Sequence, residues 1–366
     1  MKIVITGNYG AENLGDEMIL KGLLCTIRKI VPFAELTVLS GNPRETARNY
    51  QVNSAEKFPA GFRSLFRAVF GKNRETAKVV KECDYFILGG GGLFGGLKKR
   101  ANIIWGIQAV MAYFYRKPVI MCGQSVGNLG SWFEKRLIKK IFSKARLIIV
   151  RDEKSKDRLE KLGVKKKIHV YPDLAFGCKV EDMASQRQNK LLVALREMDG
   201  ISQSLKQSVA EFLNWLINEH KWNVTFVTFQ KGVGTDDPLH EEVMEMIVDK
   251  SYMDLINELD IEKVIKAFTE AEMILGMRLH SIISAIKAQT PFIAINYAPK
   301  VADLLENSGF EENIVEMNMI NPETLRKQFE KIRAEKEKIT GKLNKYNAEI
   351  EKKRAEMEEL LKATLK

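Results

Sequence analysis

Short apolar runs alternate with longer amphipathic stretches from the first residue onward. Lys2–Thr6, Leu36–Leu39, Tyr85–Leu88, Pro118–Cys122, Leu147–Val150 and Ile168–Tyr171 read as strands. The segments between them read as helices, Asp16–Ile30 among them, with Asp16 and Glu17 in its first turn. Apolar runs without polar alternation suit strands buried on both faces, so the pattern predicts a parallel sheet covered by helices on both sides. A polar stretch, Glu181–Lys190, interrupts the series and reads as a linker. A second series follows, with strands at Leu191–Leu195, Val224–Phe229, Met273–Leu275, Phe292–Ile295 and Asn313–Val315. The predicted fold class is α/β: two doubly wound Rossmann-like domains facing a cleft, residues 1–178 and 179–325, followed by a charged helix over 326–366. In that last segment Leu325, Phe329, Ile332, Ile339, Leu343, Tyr346, Ile350 and Met357 form a heptad-like stripe, with a break expected at Gly341. A helix packed across the domains is the simpler reading, and a homodimer through this helix is the alternative.

Composition narrows the class. The chain has 366 residues, 45% of them hydrophobic and 29% charged, enough for two full cores and a solvated surface. No apolar run reaches the ~18 residues of a membrane span, and the first strand runs into a glycine-bearing loop, unlike a signal peptide. A cytoplasmic protein beginning at Met1 is therefore expected. Cys25, Cys83, Cys122 and Cys178 are widely spaced without CxxC, and the histidines show no HxxxH or HExxH spacing, so reduced core thiols and no metal site are expected. A formal net charge of +11 favours an anionic partner.

Candidate chemistry lies at strand ends, where open α/β sheets bind ligands. The segment from Gly7 to Glu17 follows the first strand and carries Asn8 and Asp16. It is no P-loop, because no Gly-Lys-Ser/Thr follows, and its glycine spacing does not fit a dinucleotide fingerprint. Gly89, Gly90, Gly91 and Gly92 open a run of six glycines in eight residues, which reads as a loop whose amides meet an anion. Gln124, in Gly123–Asn128, faces the same edge by this reading, and Arg151 ends a strand. Arg196 repeats that placement in the second domain. Arg278, His280 and Ser281, with Lys300 after the next strand, form the strongest constellation, because cations gather at a helix start that itself favours anions.

These residues resemble the polysaccharide pyruvyl transferase family, most closely a bacterial branch that ketalises N-acetylmannosamine in secondary cell-wall polymers. The resemblance runs from Met1 to about Leu325 on Gly15-Asp16-Glu17, Gly89–Phe94, Arg151-Asp152, Pro172-Asp173, Met277–His280 and Tyr297–Lys300. It implies a GT-B-like fold and phosphoenolpyruvate as co-substrate, with no cofactor and no metal. Arg151, Arg196, His280 and Lys300 match the family's functional basic positions. Ala298 departs from relatives that often carry an acidic residue there, which puts acceptor binding or proton transfer in question.

The donor is expected on Arg151 of the first domain and Arg196 of the second, with Lys300 on its phosphate, because a planar guanidinium suits carboxylates and phosphates. His280 is the expected general acid, since imidazole exchanges protons near neutral pH, and Asp16 is the expected base. The expected acceptor is a lipid-linked polysaccharide precursor at the inner membrane face. Two basic amphipathic stretches, Phe62–Arg74 and Arg136–Arg146, suit peripheral membrane association, although a helix packed on its own sheet is the simpler reading. Rival readings are a nucleotide-sugar glycosyltransferase or epimerase, and a non-enzymatic basic scaffold. Nucleic acid is not an expected partner, because no binding motif is present.

Overall fold

The computed structural model describes residues 1–61, 66, 71, 74–95, 99–178, 180, 187–198, 201–231 and 235–366. The chain divides into two compact units, one comprising 1–11, 16–178 and 352–366, the other 12–15 and 179–351. Within the segment 326–366, residues up to 351 count with the second unit and 352–366 with the first, and Phe329, Ile332, Ile339, Leu343, Ile350 and Met357 of its apolar stripe are buried.

In the first unit the strands are β1 (Lys2–Thr6), β2 (Glu35–Ser40), β3 (Asn53–Glu56), β4 (Tyr85–Leu88), β5 (Gly91–Phe94), β6 (Val119–Val126), β7 (Leu147–Val150) and β8 (Ile168–Val170). They form a parallel sheet in the order β3-β2-β1-β4-β6-β7-β8, with β5 paired to β6. The second unit holds β9 (Gln188–Ala194), β10 (Asn223–Val227), β11 (Met253–Ile256), β12 (Ala271–Gly276), β13 (Phe292–Asn296) and β14 (Ile314–Glu316), parallel in the order β11-β10-β9-β12-β13-β14. Each sheet reverses strand order once, between β1 and β4 and between β9 and β12. Loops at such reversals diverge to opposite faces and leave room for a ligand. The unbroken apolar runs predicted to be buried are so: β4 and β7 are buried at every position.

Some elements differ from the sequence reading. Gln188–Lys190 belongs to β9 and not to a linker. The glycine run is only partly a loop, since Gly91–Phe94 pairs with β6, where Leu93 and Phe94 anchor it in the core. Short β3 and β11 were not predicted, because polar residues in them hide the strand signal. The C-terminal helices are Pro322–Ala334 and Lys336–Thr364, so the break falls at Glu335 and the second helix runs through Gly341.

The first of these helices begins at Asn321, whose side chain accepts the Thr324 amide, with Pro322 in the first turn. Its Phe329 ring meets Phe212, Trp215 and Trp222 at centroid distances of 6.0, 5.9 and 4.9 Å. Removing that ring costs about 3–5 kcal/mol. Leu343, Ile350 and Met357 are buried as well, so the stripe packs within the chain, as the simpler reading has it. The four cysteines are free thiols, and burial pushes Cys122 up to about 12.

Candidate active site

At the carboxyl ends of β9 and β13, Arg196 and Lys300 flank one aromatic ring. The Arg196 guanidinium lies 5.1 Å from the Tyr297 ring centroid and the Lys300 ammonium 5.2 Å. Arg196 also donates from Nη1 to the Tyr297 hydroxyl at 2.7 Å. Burial raises the Tyr297 pKa, although Arg196 and Arg278 pull it down, so the phenol keeps its proton. Arg196 has no carboxylate partner among the described residues, and its buried Nε has no hydrogen-bond partner. Arg196 is half-buried, and an anionic ligand would satisfy its unspent donor and balance its charge.

Arg278 contrasts with it. Its Nε donates to both carboxylate oxygens of Asp236 at 3.1 and 3.0 Å, and Nη2 donates to Asp236 as well. Nη1 reaches the Gln230 side-chain oxygen at 3.0 Å. Asp236 is fully buried and also accepts the amides of Phe229 and Gln230 at 3.0 and 3.1 Å. Arg278, expected to present a fixed charge to substrate, has its charge balanced within the fold by Asp236. Ser281 is buried, and its hydroxyl donates to the Arg278 carbonyl at 2.6 Å. Both hold the turn that begins the helix Leu279–Lys287.

His280 is the second residue of that helix. Residues 12–15 count with the same unit through backbone bonds: the Leu14 amide donates to Phe229 O at 2.7 Å, and the Lys231 amide to Glu12 O at 2.9 Å. Gly15 thereby comes to lie against the His280 ring, and a Cβ there would overlap the imidazole. Behind the β9 end, buried His240 accepts the Leu195 amide at Nε2, 3.2 Å away. Burial lowers its pKa to about 4, so it is neutral and carries its proton on Nδ1.

The first unit has a different chemistry. Asn8 donates to Asp16 at 2.7 Å, and Glu17 accepts from the Gly10 amide and the Tyr50 hydroxyl at 2.8 and 2.7 Å. Gly91 has φ +101°, and a Cβ on it would lie 3.4 Å from the Asp16 carboxylate, so the glycine strand and the acid are adjacent. Tyr9 is fully buried, and its ring fills the space that side chains at Gly7 and Gly89 would need. Gly90 lies against the Gly123 carbonyl, whereas Gly92 is exposed. Gln124 is fully buried, and its amide donates to the Leu88 and Gly89 carbonyls, bracing the glycines from behind. Arg151 donates to buried Asp173 at 2.7 Å.

Predicted site residues thus divide by unit. Asn8, Asp16, the glycines, Gln124 and Arg151 belong to the first; Arg196, Arg278, His280, Ser281 and Lys300 belong to the second. Sequence reasoning missed Asp236, Gln230, His240 and the role of Tyr297. For Asp236 a signal existed, because Asp-Asp-Pro marks a helix start, but burial of the carboxylate was not legible there. Among the described residues no group of three His, Cys, Asp or Glu side chains could hold a metal ion, and no helix is long and apolar enough to cross a membrane.

Residues 13–299 match a family described as polysaccharide pyruvyl transferase. A curated relative, the amylovoran biosynthesis protein AmsJ of Erwinia amylovora, is 22% identical, with 85% of this chain and 87% of that protein covered. Among solved structures, a putative UDP-N-acetylglucosamine 2-epimerase from Listeria monocytogenes aligns with TM-score 0.65 at 11% identity, covering 93% of this chain and 90% of that one. Anabaena Alr3699/HepE, solved with UDP and glucose, aligns with TM-score 0.62 at 12% identity, covering 99% of each chain. These likenesses show a two-domain Rossmann-like fold of the GT-B kind.

Proposed function

Since this chain belongs to the polysaccharide pyruvyl transferase family, we propose that it moves the three-carbon unit of phosphoenolpyruvate onto a sugar as a cyclic ketal and releases phosphate. The relative named for amylovoran biosynthesis supports a transferase that modifies polysaccharide. The observation that carries the donor reading is Arg196: a guanidinium stacked on Tyr297, unpaired with any described carboxylate, and beside a second cation. A planar guanidinium suits a carboxylate or phosphate, and Lys300 supplies a charge for the other end of the donor. Arg151 is already balanced by Asp173, so donor binding is assigned first to Arg196 and Lys300.

In the proposed reaction His280 protonates the methylene carbon of phosphoenolpyruvate, which becomes the methyl group. One sugar hydroxyl bonds to the resulting cationic C2, and Asp16, oriented by Asn8, takes its proton. The C2–O bond to phosphate breaks, and the second hydroxyl closes the ring. Its proton leaves with the phosphate, so the step balances without oxidant or reductant. N-acetylmannosamine bridged at its 4- and 6-hydroxyls, in a lipid-linked cell-wall precursor, is the proposed acceptor.

Phosphate release from phosphoenolpyruvate tests this, measured with and without a glycan bearing N-acetylmannosamine. Glycan-dependent release is expected. Turnover of UDP-N-acetylglucosamine with no phosphate release from phosphoenolpyruvate would replace this reading with the nucleotide-sugar one.

A further inference from the structure

The first unit carries a surface that the proposed chemistry does not use. Eleven large apolar side chains are exposed among the described residues, and six of them cluster on two helices, Lys99–Phe114 and Trp132–Lys144. They are Ile103, Ile104, Val110 and Phe114 on the first helix, and Trp132 and Phe133 on the second. Scattered exposed apolar residues need no explanation, but a cluster on adjoining elements does.

The two helices form one surface. Gly106 admits Leu137 and Ile141 of the second helix against the first, and the Tyr113 hydroxyl donates to the Ile141 carbonyl at 2.7 Å. Ile103, Val110 and Phe114 recur at steps of seven and four residues, an outward stripe on a helix whose opposite side, with Trp105 and Ala109, is core. The second helix carries features of both earlier alternatives. Its Ile138, Ile141 and Phe142 pack on the sheet, yet Trp132 and Phe133 at its start stay 71% and 60% exposed. The other basic stretch considered, Phe62–Arg74, lies outside the described residues except for Phe66, Gly71 and Arg74.

Charge selects the occupant. Residues 101–146 contain eight Lys and Arg against one acid, a formal +7 of the chain's +11. That acid, Glu134, is buried in the capping box of the second helix, where it accepts the Ser131 amide. Arg136 lies over the exposed Trp132 ring, 5.2 Å from its centroid, and Lys135, Lys139 and Lys140 are exposed beside it. Aromatic rings settle at headgroup depth, and clustered cations are drawn to anionic leaflets. A protein partner would need matching acids, and a second copy of this cationic face would repel the first.

We propose that this two-helix face docks the protein peripherally on an anionic bilayer, with Trp132, Phe133 and Phe114 entering the headgroup region. Of the four tryptophans, Trp105, Trp215 and Trp222 are buried, so Trp132 reports contact by itself.

The experiment mixes the full chain with vesicles of phosphatidylcholine alone or with phosphatidylglycerol, reading co-sedimentation and tryptophan emission. Binding to the anionic vesicles, a blue-shifted emission, and release by high salt are expected. Lys135→Glu/Lys139→Glu/Lys140→Glu should weaken partitioning on the order of 100-fold. Phe114→Ser/Phe133→Ser should weaken it by about 10-fold or more. All five positions are exposed, so the fold is not at stake. No binding to anionic vesicles at low salt, equal binding to neutral ones, or binding retained in both variants overturns the proposal. So does a dimer abolished by Phe114→Ser/Phe133→Ser without vesicle binding, which assigns the face to a second copy. Neither donor nor acceptor is added, so the outcome is independent of the pyruvyl-transfer reading.

Discussion

The strand ends of the two units share a topology and differ in chemistry. At β1 and β4, glycines and carboxylates dominate: Asp16 is held by Asn8, Glu17 by Tyr50, and Gln124 braces Gly89. At β9, β12 and β13 the prominent groups are cations. Carboxylates that accept and glycines that admit close approach suit a neutral hydroxylated ligand, whereas a guanidinium without a counter-ion suits an anion. Within the second unit the contrast sharpens into two arginines. Arg278 spends its hydrogen bonds on Asp236 and Gln230 and stabilises the turn; Arg196 keeps a donor unspent. An arginine at a strand end is therefore a ligand group only where no acid meets it.

The largest effect is expected from breaking the closed pair. Asp236→Ala leaves the Arg278 charge buried alone and should cost about 3–5 kcal/mol of stability, measured by denaturant unfolding. Stability within 1 kcal/mol of the parent would mean that the pair is not the strut described here. Arg196→Ala should behave oppositely, with little change in unfolding and a fall of about 100-fold or more in kcat/KM for phosphate release, the scale of a lost charge-stabilising contact. Equal damage to stability and turnover would erase the distinction between the two arginines.

Gly15→Ala sharpens the comparison at the His280 end of the second unit. Gly15 lies in the helix Leu14–Ile30, where Ala is favoured over Gly by up to about 1 kcal/mol, but its methyl overlaps the His280 ring. Turnover should fall by about 10-fold, approaching the ~100-fold loss expected for His280→Ala. Unchanged turnover in both variants would remove His280 from the reaction.

The smallest effect concerns pH. Burial depresses His240 to about 4 from an ordinary value of 6.5. The unfolded chain takes up this proton first as pH falls, so stability is complete above about 6.5 and declines toward 4, by about 3 kcal/mol at most. His240→Gln should be less stable at neutral pH but flatter across this window. An unaltered slope would assign the acid sensitivity to other groups.

Much of the fold was legible because buried parallel strands leave unbroken apolar runs. β1, β4 and β7 lie at the predicted residues, while β3, with its polar Asn53, Ser54 and Glu56, left no such trace. Placement of Arg196, His280 and Lys300 at strand ends was also readable, since topology alone puts those positions at a sheet edge. Their partners were not. Nothing local distinguishes Arg278 from Arg196, and the difference rests on Asp236, 42 positions away in the chain.

Sequence by itself determined two α/β halves, the chemical inventory at their strand ends and the strong positive charge. Tertiary structure decided which charges are neutralised, which glycines support a neighbour's ring, and which apolar stripe is core. The C-terminal stripe, open in the sequence to packing or pairing, is buried, whereas Ile103 and Phe114 face outward. Periodicity records that a helix has an apolar side; only packing against distant residues determines whether that side is covered.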